Sequence, residues 1–336
     1  MRKLILLIIL SFFSKYILSY DTLIEEGLSI NNNALKINDT SHEISFLLAG
    51  HLYGKPGLSI LPALSVTNNI AVFQDKELDF MILLGDNYRF MKAEHIHQFR
   101  DLFLDRINFP VYNAVGNHDI NGGEGIFLRN EYLQEFGTVD YHSFKINNSL
   151  FLILNSELYK VDSKSDCSIK GAQLKFFKEL LKKEKDYDNL LIFLHKEIDL
   201  YPSNNYESDI KPILKNLAKN GKKIYIFSGD LAKRSNDLYY KTDDNYDITF
   251  IHTHILDSID DKVIKVSISD GGVPEFKVIS LNNKSVKPLI EYQYSIQKPG
   301  KSESFIYRIF TNKLVFLFIF LPILIIVSWY LLKKNN

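Results

Sequence analysis

The chain has 336 residues, enough for one large domain with a full core once its apolar ends are set aside. Lys and Arg together number 40, as do Asp and Glu, so the formal charge is zero and no basic excess draws a polyanion; a nucleic-acid partner is not indicated. Cys167 is the only cysteine, which excludes an intrachain disulfide and leaves core burial, with any bound metal, to hold the fold.

Residues 1–19 read as a secretory signal peptide: Arg2 and Lys3 precede an apolar run from Leu4 to Phe13, and small Ser19 closes the segment. Lys15 interrupts the run and Ile17 suits a cleavage site poorly, so an uncleaved N-terminal anchor is the alternative. Residues 20–42 form a lead-in to a domain expected over 43–290.

Within that domain, short β-branched and large apolar runs alternate with helix-like stretches, which predicts a layered α/β architecture. Strands are expected at 43–49, 78–84, 110–115, 141–146, 150–155, 189–194, 223–228, 248–252, 262–268 and 275–281. Helical periodicity is present over 93–106, 128–136, 171–184 and 209–220. In the third of these, Leu174, Phe177, Leu180 and Leu181 share a face and the lysines face solvent. The stretch 121–132, with Gly122, Gly123 and Gly125, is expected to form a mobile rim.

Residues 291–312, polar and carrying Pro299 and Gly300, read as a juxtamembrane linker. The stretch that follows, 313–332, is apolar between Lys313 and Lys333 apart from Ser328. About 20 apolar residues cross a hydrocarbon core, so it is long enough to span a membrane, with Trp329 and Tyr330 at belt depth. A buried core helix is the alternative, though charges would normally stripe one. Signal peptide and span together predict a single-pass membrane protein with its domain outside the cytoplasm and a cytoplasmic tail at 333–336. The tail resembles a dilysine retrieval signal, and Asn38, Asn148 and Asn283 lie in glycosylation sequons; both matter only in a eukaryote.

Polar clusters follow five of the strand candidates: Ala49-Gly50-His51, Gly85-Asp86-Asn87, Gly116-Asn117-His118-Asp119, His195, and Ser228-Gly229-Asp230-Leu231. In open α/β sheets, loops at the carboxyl ends of strands converge on one crevice. Carboxylate, amide oxygen and imidazole suit divalent metals such as Mn, Fe or Zn.

The order and spacing of these clusters, over roughly residues 43–281, resemble the calcineurin-like metallophosphoesterase family, with the Gly116 to Asp119 segment as the most specific element. The resemblance implies two central mixed sheets flanked by helices in a four-layer α/β/β/α arrangement. It implies that Asp86 bridges two metals, that Asn117 and His195 bind the second, and that His118 protonates the leaving oxygen. It further implies hydrolysis of a phosphate ester by metal-bound hydroxide, with one or two divalent ions per chain.

Departures from the family pattern are concentrated on one side of the site. His51 stands where the family has the histidine of its first cluster, but the Asp expected two residues earlier is Ala49. The final cluster has Asp230, which can still coordinate, and Ala232, which cannot. One firmly held ion beside a depleted first site is the expectation.

His252 and His254 flank Thr253 and project to one side by the strand period; they are either replacement ligands, phosphate contacts or plain strand-end histidines. Arg89 is a candidate phosphate clamp or a surface salt-bridge partner. Asp119 is expected to orient His118 or the loop. His95 and His97 fall on different helix faces and read as structural. A non-catalytic receptor or scaffold with a degenerate site is the alternative to an enzyme; monoester versus diester, and oligomeric state, stay open.

Overall fold

Two six-stranded mixed sheets take up the apolar runs of the sequence. The computed structural model describes residues 28–35, 43–54, 60–124, 126–158, 166–201, 203–230, 238–243, 246–269 and 272–293. The expected signal peptide, membrane span and tail, most of the lead-in and linker, and Ala232 lie outside the described residues. Among the described residues no helix is long and apolar enough to cross a membrane.

In chain order the first strands are β1 (Ile44–Ala49), β2 (Phe80–Leu83), β3 (Val111–Asn113), β4 (Asn121–Gly123), β5 (Ile126–Phe127), β6 (His142–Ile146), β7 (Ser149–Ile153) and β8 (Asp166–Cys167). They continue as β9 (Asn189–Lys196), β10 (Ser203–Asn204), β11 (Lys223–Asp230), β12 (Leu238–Asp243), β13 (Ile248–Thr253), β14 (Lys262–Ile268), β15 (Glu275–Ser280) and β16 (Val286–Pro288). The helices are α1 (Leu64–Thr67), α2 (Ile70–Phe73), α3 (Ala93–Leu102), α4 (Arg129–Phe136), α5 (Gly171–Lys183) and α6 (Lys211–Lys219).

The first sheet has the order β16-β15-β14-β1-β2-β3 and the second β12-β13-β11-β9-β7-β6. In the first sheet the parallel strands β1-β2-β3 form one half, ending at edge strand β3, with antiparallel strands on the other side; in the second, the parallel strands β13-β11-β9-β7 form the centre, with an antiparallel strand at each edge. Parallel strands covered on both faces are apolar along their whole length rather than alternating with polar residues, which is why β1 and β9 are buried throughout.

The two-residue period of a strand divides these apolar runs between layers. Ile44, Phe46 and Leu48 of β1 point toward the second sheet with Phe80 and Ile82 of β2, whereas Leu47, Ala49, Met81 and Leu83 point toward helices. In β9, Leu191 and Phe193 join the core between the sheets while Leu190, Ile192 and Leu194 meet α5 and α6. Three cores separated by two sheets make the four layers expected. The inter-sheet core is aromatic, with Phe46 stacked on Phe80 at 4.8 Å and Phe193 on Phe227 at 4.9 Å.

Several boundaries shift for local reasons. The helix expected over 93–106 ends at Leu102 because Phe103 adopts φ −137°, and a 3-10 turn follows. The helical stretch expected from 209 begins earlier, in a π-helical turn over Tyr206–Ile210 that runs directly into α6, with Pro212 in the first turn of the α-helical part, where it suits a helix start. On α5 the fully buried face is Gln173, Phe176, Phe177 and Leu181, with Leu174 and Leu180 only partly covered. Gln173 enters the core because its amide bonds both the N–H and the C=O of Asn155, at 2.7 and 3.0 Å. The glycine-rich rim holds a short hairpin, β4-β5. Strand β12, unanticipated, closes one edge of the second sheet against β13.

Candidate active site

The carboxyl ends of β1, β2 and β3 lie side by side, since Ala49 pairs with Leu83 and Leu83 with Asn113. On the second sheet, β9, β11 and β13 end together, with Asp230 opposite Lys196 and Ser228 opposite His252. His195 and Asp230 therefore sit within strands that run further than their apolar segments, not after them. The two groups of ends meet closely. Gly116 tolerates no side chain, because a Cβ there would stand 2.3 Å from the Asp86 nitrogen.

Asp86 occupies the middle of this junction, 1% exposed and in the left-handed region at φ 58°. A non-glycine residue there is strained, and such strain persists where surrounding bonds over-determine it. Its Oδ1 accepts the His118 N–H at 2.8 Å and faces His195 Nε2 at 3.4 Å. Its Oδ2 faces His51 Nε2, also at 3.4 Å. Burial opposes ionisation of this carboxyl, but the facing His195, His118 and His51 hold it well below the usual carboxylate range.

Three histidines are oriented the same way. The Nδ1 atoms of His51, His195 and His118 lie 3.0, 2.8 and 2.7 Å from the carbonyls of Gly54, Leu84 and Arg89. A carbonyl only accepts, so each Nδ1 carries the proton. His51 and His195 then aim Nε2 at Asp86, the orientation metal-binding imidazoles take. Among the described residues His195 Nε2, which is buried, makes no hydrogen bond, and it also faces Asp230 Oδ2 at 3.8 Å. A bare lone pair against two carboxylates is unfavourable; a cation between them, or a proton, removes the conflict. Burial disfavours that proton, but the charges of Asp86, Asp230 and Glu157, with Asp86 accepting a hydrogen bond from the protonated ring, push the pKa up to about 9.

Asp230 is held from the other side by Tyr201, whose hydroxyl donates to Oδ2 at 2.8 Å. Asn117 is half-buried between Gly116 and His118 on the loop after β3. The donors present, two imidazole nitrogens, the carboxylates of Asp86 and Asp230 and the Asn117 amide, suit a divalent ion of the Mn, Fe or Zn kind. Among the described residues no group of three or more His, Cys, Asp or Glu stands ready-made at coordinating separations; the donors approach in pairs around Asp86. Ala49 is fully buried on the helix side of β1 and brings no donor.

Asp119 serves the loops. Fully buried, it accepts the backbone N–H groups of Asp86, Asn87 and Gly116 at 3.1, 2.8 and 2.9 Å, and side-chain amides of Asn87 and Asn113. Burial and the charge of Asp86 raise its pKa to about 6 despite these bonds. The carboxylate thus ties the β2 loop to the β3 loop; the ring of His118 is oriented by the Arg89 carbonyl instead.

Arg89 is half-buried with its guanidinium carbon 5.4 Å from the Phe90 ring centre, and it has no ion pair among the described residues. Tyr53 packs between His51 and His118, with ring centres at 4.3 and 4.8 Å. His252 and His254 are buried rather than exposed at the strand end, 0% and 3%. Their rings meet each other, and His254 meets His51 at 6.2 Å between centres. His95 is buried and His97 exposed on opposite faces of α3.

Tyr53 and Tyr201 were not anticipated, nor was the buried pair Lys196–Glu157 at 2.8 Å beside His195. Tyrosines carry no spacing signal for such contacts. Lys196 and Glu157 are adjacent only because β9 lies next to the end of β7 in the sheet.

No family profile matches the chain. It is 30% identical over 181 residues to a serine/threonine-protein phosphatase CPPED1 from Pongo abelii, covering 49% of this chain and 56% of that one. The Homo sapiens protein of that description is 29% identical with the same coverage. The chain thus spans little more than half the length of the curated relatives it matches. Among solved structures, a purple acid phosphatase from yellow lupin (Lupinus luteus) aligns with a TM-score of 0.47 at 14% identity, over 74% of this chain and 53% of that one.

Proposed function

We propose that this chain, a member of the calcineurin-like metallophosphoesterase family, hydrolyses a phosphate ester at the crevice around Asp86. What carries this reading is Asp86 itself: buried, ionised, with one oxygen toward His195 and the other toward His51, each at 3.4 Å. Asp86, Asn117, His195 and Asp230 would hold a divalent ion, with His51 on the far side of Asp86. Such an ion polarises a phosphoryl oxygen and makes water a competent nucleophile near neutral pH.

The remaining work falls to the chain's own groups. His118 has its Nδ1 proton committed to Arg89, so a proton delivered to the leaving oxygen comes from Nε2. Tyr53 and Phe90 flank its ring and limit its rotation. Arg89 stands on the same loop with a guanidinium suited to a phosphate oxygen. The relatives named as serine/threonine phosphatases make phosphorylated serine and threonine side chains the first monoesters to try.

We also propose a membrane tether through 313–332 with the domain outside the cytoplasm; the apolar length and flanking lysines support it. Retention of the full chain in the membrane pellet under alkaline carbonate, with the domain accessible to protease from the outer side, is expected. Release into the supernatant sinks the tether.

For activity, the test is turnover of phosphopeptides, generic monoesters and diesters with Mn, Fe or Zn, together with bound metal per chain. Absence of metal, or turnover no greater than that of His118→Ala with every substrate, leaves the non-catalytic scaffold reading, which the missing donor at Ala49 favours.

A further inference from the structure

Ala49 leaves the His51 side of Asp86 one donor short, and β13 delivers two buried histidines to that side. Ser228 and His252 are register partners on β11 and β13, and the Ser228 hydroxyl lies 3.0 Å from His252 Nδ1. His252 Nε2 lies 2.6 Å from His254 Nδ1. The next residue, Ile255, donates its N–H to the Gly50 carbonyl at 2.9 Å, which clamps the His254 backbone against the loop carrying His51. Gly50 permits that approach, since a Cβ there would meet Thr253 O at 3.0 Å and the Gly229 backbone at 2.9 Å.

The separation of the His254 and His51 rings suits a shared ion. Two imidazoles on one ion, with metal–nitrogen bonds of about 2.0–2.1 Å, place their ring centres roughly 4.5–5.5 Å apart at right or tetrahedral angles and up to about 6.4 Å apart when opposite each other. The centres here are 6.2 Å apart, with the rings inclined at 62°, which suits imidazoles on nearly opposite sides of an ion. The hydrogen-bond chain also has a direction compatible with coordination. Of the two directions the chain allows, the one with His254 Nδ1–H donating to His252 Nε2 and His252 Nδ1–H donating to the Ser228 oxygen places the lone pair on His254 Nε2. An outer group that receives the second ring proton is what orients metal-binding imidazoles.

We propose that His254 is a metal ligand on the His51 side of Asp86, replacing from β13 the donor that Ala49 does not supply, with His252 and Ser228 as its positioning residues. This rests on the metal-dependent reading above. The depleted first site is thereby rebuilt as a two-histidine site with the Asp86 carboxylate, weaker than the His195 side but able to take a divalent cation of the Mn or Zn class.

The experiment is equilibrium binding of Mn(II) to the full chain, with metal per chain by mass spectrometry and the number of coordinated imidazole nitrogens by pulsed electron paramagnetic resonance. His254→Ala is expected to lose one coordinated imidazole and to weaken the lower-affinity ion, while the tighter ion stays. His252→Phe, which removes the orienting partner, is expected to weaken the same ion by about 10–100-fold. The pair His254→Asp and His254→Asn separates coordination from packing: the ion should persist in the first and be weakened in the second. Equal binding and an equal nitrogen count across wild type, His254→Asp and His254→Asn overturn the proposal while leaving metal dependence intact. No Mn(II) bound by wild type overturns it together with the functional reading.

Discussion

His195 and Leu84 are joined across the two sheets: the Nδ1–H of His195 on β9 donates to the carbonyl oxygen just beyond β2, at 2.8 Å. One bond links the layers and sets the tautomer, and it fixes His195 two residues from Asp86 in the opposing loop. Structural and chemical roles are therefore inseparable at this residue.

Replacement of His195 by alanine should destabilise the fold by roughly 1–3 kcal/mol, the cost of leaving the buried Leu84 carbonyl unpaired. Bound metal should fall as well. Urea denaturation with and without chelator measures both: the wild type should lose stability to the chelator, and His195→Ala should lose less. An equal chelator effect in both counts against His195 as a ligand.

His118 is expected to reveal itself through the leaving group. His118→Ala should slow hydrolysis of an alkyl phosphate by about 100- to 10,000-fold, the usual range for a positioned acid. A nitrophenyl phosphate, whose leaving group needs little protonation, should be affected far less. Equal losses on both substrates would point to a binding role instead.

Asp119→Ala removes the acceptor for three backbone N–H groups in two loops. Each buried donor left unsatisfied costs about 1–3 kcal/mol, so a loss of several kcal/mol in unfolding free energy is expected, with Asp119→Asn intermediate. Hydrogen exchange should show faster opening at Asp86, Asn87 and Gly116. Protection unchanged at those amides would contradict the loop-tying role.

His142 predicts an acid sensitivity separate from the site. It is buried, neither ring nitrogen has a hydrogen-bond partner among the described residues, and burial lowers its pKa from 6.5 to about 4. The unfolded chain binds this proton below pH 6.5 while the folded chain resists it, so the stability contribution is complete above 6.5 and is lost as pH falls toward 4. A shift of that size is worth roughly 3 kcal/mol at the acid limit. The stability difference between wild type and His142→Phe should be flat above pH 7 and move against the wild type between pH 6.5 and 4. Parallel curves across that window would refute it.

Much of the layering was legible from the strand runs, because a fully buried parallel strand must be apolar along its length. Residues 262–268 were bounded as observed, and 44–49 to within one residue. Strand β12, with Lys241, Thr242 and Asp243 in it, carries too little apolar pattern to be recognised; its pairing with β13 decides it. The four residues expected on the α5 face all pack on the core, but the face also takes in Phe176 and Gln173, the latter buried through hydrogen bonds to Asn155, a contact between residues 18 apart.

By itself, the sequence determined which donors exist and on which strand ends they sit: Asp86, Asn117, His118, His195 and Asp230 are there, and Ala49 is not a ligand, whatever the fold does. Residue type sets chemistry, and the strand period sets direction. Tertiary structure decided the rest. Only the meeting of two sheets puts His51 and His195 on opposite oxygens of Asp86, makes Asp119 a tie between loops, and turns His252 and His254 from strand-end residues into a buried pair beside His51. Those relations depend on distances between segments far apart in the chain, and local pattern carries no record of them.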